Sequence, residues 1–269
     1  MQIRKLEVEH LSELKQLYIR QTTAPLDGMW LCGFVPMARH FGFYEDNGLV
    51  GFFCVNDEGY LLQFFVNQNY QNQSSQFFEA IFHGDDLPSG KIKGAFVSTA
   101  EPHYLSLCLD RFSRFEVNSL MYQHTGVSRE YTQESVLTMT TVDSEQLSEA
   151  VDFAVAAIGA STEWLSGYYA NLIKRQELFG VWANGRLVAT GESRSRDEYQ
   201  IEYADLGMIV AESERGRGMA TQILRQLVTM NEANSLKSIC STEKTNVAAQ
   251  KAIGRGGFFA SNRIIQFHA

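Results

Sequence analysis

The chain has 269 residues, 45% of them hydrophobic, and a formal net charge of −8. That length suits one large domain or two of ordinary size, with apolar residues enough for real cores. The acidic balance and the lack of a basic stripe argue against a nucleic-acid partner. No apolar run approaches the roughly 18 residues of a membrane span.

The first residues, MQIRKLEVEHL, hold no apolar signal core, so a cytoplasmic protein without a membrane partner is expected. The four cysteines, Cys32, Cys54, Cys108 and Cys240, are scattered without a CxxC pair or a His at metal-ligand spacing. They read as reduced and structural, and no metal is expected. In the first half, patterning predicts a strand over 60–66, a helix over 74–82, a strand over 91–98, a helix over 102–112 and a strand over 115–124. Thr125-Gly126-Val127-Ser128-Arg129-Glu130 is short, polar and weakly patterned, and marks a boundary between residues 1–126 and 133–269.

The second half opens with a strand over 135–142. Asp143 or Ser144 then caps a helix reaching Ala157, and Ser161 or Thr162 caps a second. Trp164, Leu165, Tyr168, Tyr169, Leu172 and Ile173 follow at helical spacing and read as core. Strands over 177–183 and 186–192 flank an Asn184-Gly185 turn, the signature of a hairpin. A strand over 201–210, a helix over 218–231, a strand over 236–241, a helix over 246–255 and a strand over 258–267 complete an α/β layout with a mixed sheet.

The halves resemble one another. Glu9-His10-Leu11-Ser12-Glu13 matches Glu145-Gln146-Leu147-Ser148-Glu149 at an offset of 136. Asn47-Gly48 matches Asn184-Gly185 at 137, and the run from Phe115 to His124 matches that from Phe259 to His268 at 144. The common order points to a tandem duplication. The growing offset puts a few extra residues in the second half, around Ser195-Arg196-Asp197-Glu198.

The segment with chemistry in it is Arg215-Gly216-Arg217-Gly218-Met219-Ala220, between a strand ending at Val210 and a helix. Glycines at such a crossing let backbone close round an anion, and the free amides and dipole of the helix favour negative charge. A Walker loop would need Gly-Lys-Ser/Thr, which is absent. The dinucleotide fingerprint is only partly met, since Gly216-Arg217-Gly218 runs on to Thr221 and no acidic residue stands at the expected later position. An ordinary exposed turn is the third reading.

This segment resembles the phosphate loop of the GNAT superfamily of N-acetyltransferases, Gln/Arg-x-x-Gly-x-Gly/Ala, which Arg215, Gly218 and Ala220 fill. Val210 before it, and Asn246, Ala249, Gly257 and Phe258 after it, fit the same family. The resemblance covers about residues 133–269 and implies two tandem GNAT-like domains, each a mixed central sheet flanked by helices. It implies that the amides of Arg215, Gly216, Arg217, Gly218, Met219 and Ala220 hold the pyrophosphate of acetyl-CoA. The strand edge at Met208, Ile209 and Val210 would bind the pantetheine arm, with Asn246 touching it and the Met208 amide serving as oxyanion donor. An amine of a small molecule or peptide would attack the thioester directly.

Departures from the pattern concern catalysis. The family's usual tyrosine acid falls at Ile253, and the usual proline falls at Glu212. Glu192, Glu202, Tyr203 and Asp205 are the candidates for proton transfer; Asp205 as base and Tyr203 as acid share one strand face unless a bulge intervenes. Ser241 and His268 are weaker candidates. In the first half the loop is Gln71-Asn72-Gln73-Ser74-Ser75-Gln76, without glycine or arginine, so that half is expected to keep the fold without the cofactor. The alternative to an enzyme is a non-catalytic acyl-CoA-binding sensor or scaffold. Acceptor and oligomeric state, a homodimer included, stay open.

Overall fold

The computed structural model describes residues 1–83, 90–126, 137–195 and 199–269. The chain folds as two compact units. Residues 127–130 of the expected boundary, 135–136 of the expected strand and 196–198 of the expected insertion lie outside the described residues.

The first half of the chain supplies β1 (Gln2–Lys5), α1 (Ser12–Arg20), α2 (Val35–Met37), β2 (Arg39–Glu45), β3 (Gly48–Val55), β4 (Tyr60–Val66), α3 (Ser74–Ala80), β5 (Gly94–Ser98), α4 (Pro102–Arg111) and β6 (Arg114–His124), the first unit running as far as Met121. The second half of the chain supplies β7 (Thr140–Thr141), α5 (Leu147–Ile158), α6 (Thr162–Lys174), β8 (Leu178–Ala183), β9 (Arg186–Arg194), β10 (Tyr203–Val210), α7 (Met219–Ala233), β11 (Lys237–Glu243), α8 (Val247–Arg255) and β12 (Phe258–His268). From Ser261 onward β12 belongs to the first unit. There it pairs antiparallel with β5, from Ile264 opposite Ser98 to His268 opposite Gly94.

Within the first unit β1 to β4 form antiparallel neighbours and β4 runs parallel to β5. The second unit repeats the scheme: β7 to β10 are antiparallel neighbours and β10 is parallel to β11. A mixed sheet flanked by helices in each half is therefore the architecture that patterning predicts. The offset of 144 also matches Arg114–His124 to Phe258–His268, strand for strand.

The helices form where apolar residues recur at helical spacing. In α6, Leu165, Tyr169 and Leu172 fall on one face and are buried against Ala150, Val151 and Ala154 of α5. Asp143 closes a capping box: its Oδ1 accepts from the Gln146 amide at 3.0 Å, and the Gln146 Oε1 accepts from the Asp143 amide at 3.1 Å. Ser161 caps α6 through the Trp164 amide. In the first unit Phe41, Phe43, Phe53, Phe64, Phe77 and Phe78 make the centre of the core, and Phe267 of β12 joins them. Cys54, Cys108 and Cys240 are buried.

Several expected boundaries move. The strand over 201–210 begins at Tyr203, because Ile201 is apolar in sequence but 72% exposed. The strand over 91–98 begins at Gly94, and the helix over 74–82 stops at Ala80. The described part of the strand over 135–142 pairs at Thr140 and Thr141, with the Val142 amide donating to the Leu178 carbonyl at 3.0 Å beyond them.

Candidate functional site

The loop between β10 and α7 has the local geometry of an anion cradle. Glu212–Glu214 make a single 3-10 turn, Arg215 is extended, and Gly216 and Gly218 take φ of 78° and 82°. Both angles lie in the left-handed region, where a side chain is strained. A Cβ at either glycine would meet no atom within 4 Å, so the space over the loop is open. No side chain caps α7 at Gly218, and its first backbone bond is the Gln222 amide to the Gly218 carbonyl. The amides of the first turn are thus presented to a ligand, with the positive end of the helix dipole behind them.

The two arginines differ in use. Arg215 lays its guanidinium on backbone, donating to the Val210 carbonyl at 3.2 Å and the Ala157 carbonyl at 3.3 Å, which ties the loop to β10 and α5. Arg217 is exposed and pairs with Glu214 at 2.8 Å. Such a surface pair is weak and exchangeable, so Arg217 can turn to an incoming anion.

β10 reaches this loop with one edge bare. Its pairing with β11 stops at Leu206 opposite Cys240, whereas its pairing with β9 continues to Val210 opposite Ala189 without a register shift. The Ala211 amide donates to the Val188 carbonyl on the β9 side. Alternation along the strand then turns the N–H groups of Met208 and Val210 to the other side, which β11 has left. Met208, Ile209 and Val210 are all partly exposed. Such an edge can accept an added extended segment. Asn246 stands at the start of α8 and caps it, its Oδ1 accepting from the Ala249 amide at 3.1 Å.

Under Gly207 lies a buried polar network. Glu192 pairs across the ladder with Gly207, and Arg194 with Asp205, so all four face the same way. Arg194 donates from Nη1 to Glu192 Oε2 at 3.0 Å and from Nη2 to Asp205 Oδ2 at 2.9 Å. From α6 the Tyr168 hydroxyl donates to Glu192 Oε2 at 2.6 Å and accepts from Arg194 at 2.8 Å. Burial, then the Glu192 carboxylate, pushes the Tyr168 hydroxyl well above its ordinary value, so it stays protonated. A Cβ on Gly207 would stand 3.1 Å from Glu192 Oε2. The absent side chain therefore leaves a gap directly over that carboxylate.

The sequence candidates for proton transfer thus separate. Asp205, 3% exposed, holds Arg194. Tyr203 shares its face, as the unbroken register requires, but its ring lies by the Lys237 ammonium, 5.5 Å from the centroid, at the far end of the strand. Glu202 pairs with Lys237 at the surface. His268 belongs to the first unit, near Glu116. Ile253 is 1% exposed in α8. Tyr168 and Arg194 were not legible as site residues: Tyr168 reads as one more member of a core stripe. Only Trp164, stacked on it at 4.9 Å and 38% exposed, shows that the stripe comes to the surface here.

Two α/β units of this topology, the second with parting strands that lead into a glycine loop at a helix start, define an acetyltransferase type of fold. A family model described as an acetyltransferase (GNAT) domain matches residues 7–125, and one described as the acetyltransferase (GNAT) family matches residues 147–258. The chain is 50% identical to an acetyltransferase of the GNAT family from Colwellia psychrerythraea, covering 100% of this chain and 99% of that one with a TM-score of 0.94. It shares its fold with a GCN5-related N-acetyltransferase from Sphaerobacter thermophilus, at 14% identity, 84% and 79% coverage and a TM-score of 0.60. The same holds for a tandem GNAT protein from the clavulanic acid biosynthesis pathway, at 11% identity, 100% and 98% coverage and a TM-score of 0.61. A search of curated proteins gave no significant match. The chain belongs to the GNAT acetyltransferase family and carries two such domains in tandem. Membership implies acyl transfer. No helix among the described residues is long and apolar enough to cross a membrane, and no metal-binding cluster of His, Cys, Asp or Glu occurs among them.

Proposed function

We propose that the second domain binds acetyl-CoA and transfers its acetyl group to an amine of a small molecule or peptide. The observation that carries this is the bare edge of β10 at Met208–Val210, leading directly into the open, uncapped loop at Gly216 and Gly218. The amides from Arg215 to Ala220 would hold the pyrophosphate and the β10 edge the pantetheine arm. Asn246 caps α8 with its oxygen and has its amide N–H groups to offer the arm. Bound there, the thioester supplies an activated acyl carbon.

Glu192 is the better base than Asp205. It lies against the gap at Gly207, whereas Asp205 is spent on orienting Arg194. Two carboxylates and one guanidinium give the network a net charge of −1, which draws an ammonium toward it; Glu192 is placed to accept the amine's proton as nitrogen bonds to the acyl carbon and the thiolate leaves. Tyr168 orients Glu192, and the Met208 amide is available to an oxygen that gains charge. Ile253 offers no proton, so the thiolate leaves without an acid from α8. A second reading, an acyl-CoA-binding sensor, draws on that same Ile253. The two halves are read as residues 1–126 and 133–269, with a cytoplasmic setting and a homodimer as further expectations.

Release of free thiol from acetyl-CoA over a panel of amines tests the proposal. Amine-dependent release that falls about a hundredfold in Glu192→Gln is expected. Tight binding without turnover on any amine would favour the sensor, and no binding would remove both readings.

A further inference from the structure

The first unit keeps the parting of strands but has built something else into it. β4 pairs with β5 only at Tyr60 and Leu61, yet with β3 as far as Val66. A pocket of about 360 Å³ lies where the strands part, lined by Tyr18, Phe64, Phe65, Glu101, His103 and Tyr104 among others. That volume is at the small end of ligand pockets. The loop beside it has Gln71 where the second unit has Arg215, and no glycine to admit a pyrophosphate.

Glu101 sits in this wall 6% exposed. The Tyr18 hydroxyl donates to one carboxylate oxygen, and the Ser98 amide donates to the other at 2.8 Å. A carboxylate offers about four acceptor directions, so two stay open. Among the described residues no Lys or Arg pairs with it, in contrast to Glu192 and Asp205 of the second unit, which share Arg194. His103 does not supply the missing charge: burial holds its imidazole below the ordinary value, so it stays neutral. Its Nε2 is buried without a hydrogen-bond partner. The rest of the wall combines the rings of Tyr18, Phe64, Phe65 and Tyr104 with uncharged residues such as Thr22 and Val66, and ring faces attract cations.

We propose that this pocket binds a small organic ammonium ion, with its charge on Glu101 and its carbon substituents against Phe64, Phe65 and Tyr104. The ligand supplies the positive partner that the fold withholds from a buried carboxylate. Burial holds Glu101 at about 7, so binding strengthens as pH rises through neutrality. The other titratable groups around it do not change charge there: Tyr18 from α1 and Tyr104 and Cys108 from α4 are raised by burial, Cys54 from β3 is pushed up to about 12, and His103 is already neutral.

Calorimetric titration of the full chain with ethylammonium and with tetramethylammonium tests this. At pH 8 at least one of the two is expected to saturate a single site. Affinity should fall at least tenfold at pH 6 and in Glu101→Gln, and stay unchanged in Glu192→Gln. Gln21→Trp, at the exposed rim, leaves Glu101 in place and should also abolish binding by filling the mouth. A preference for ethylammonium means a direct hydrogen bond to Glu101; a preference for tetramethylammonium means that the rings dominate, and both support the site. Binding of neither probe overturns the proposal, as does binding lost in Glu192→Gln and retained in Glu101→Gln. Neither result bears on acetyl-CoA binding by the second domain, which is measured on the same protein.

Discussion

Glu192 and Asp205 show how much one ladder register decides. Both are acidic residues on strands, and in sequence Asp205 reads as base with Tyr203 as acid on the same strand face. The pairing of Gly207 with Glu192 and of Asp205 with Arg194 is the observation on which the proposal of Glu192 as base rests. The segment joining β9 to β10 is too long for turn chemistry to set the register, so this pairing was not legible. Loss of Arg194 should be costly, since it leaves two buried carboxylates facing each other: Arg194→Met is expected to lower stability by about 3–5 kcal/mol in chemical denaturation. Glu101 gives a pH signature of its own. Its carboxyl sits at about 7 in the fold against an ordinary 4.5. A raised acid favours the folded state below the unfolded value and loses that contribution as pH rises through about 7. Without ligand, Glu101→Gln should therefore gain stability relative to the natural chain between pH 5 and pH 8, by on the order of 3 kcal/mol. Equal pH dependence of melting in the two proteins would contradict the burial argument.

Elements were the most readable level, because each has a local cause. The Asn184-Gly185 turn, the Asp143 capping box and the helical stripes of α5 to α7 appear where spacing and capping put them. What spacing could not give is where a strand stops pairing. The parting of β10 from β11 after Leu206 is a property of two strands, and only the family resemblance anticipated it. Asn246 belongs to this scale too. As the cap of α8 its loss should cost about 1 kcal/mol with no ligand present. Denaturant titration of Asn246→Ala without coenzyme A checks this; an unchanged midpoint would mean that the cap contributes nothing.

At the scale of the molecule, the sequence offset that joined Phe115–His124 to the last strand proved to be a structural correspondence, but not where that strand lies. Residues 261–269 close the first unit, and Phe267 enters its aromatic core. A chain ending at Ala260 should leave Ala95 and Val97 of β5 uncovered and make the first unit sensitive to limited proteolysis, with resistance of that unit as the contrary result. The duplication also separates two tasks: an open glycine loop in one half, an aromatic pocket with a buried acid in the other. The central claim is that the first task is coenzyme A binding at Gly218. Calorimetric titration of coenzyme A into the natural chain and into Gly218→Leu tests it most directly. One site per chain, lost in the variant while its fold and melting are retained, is the predicted result; an affinity that the substitution leaves unchanged would contradict it.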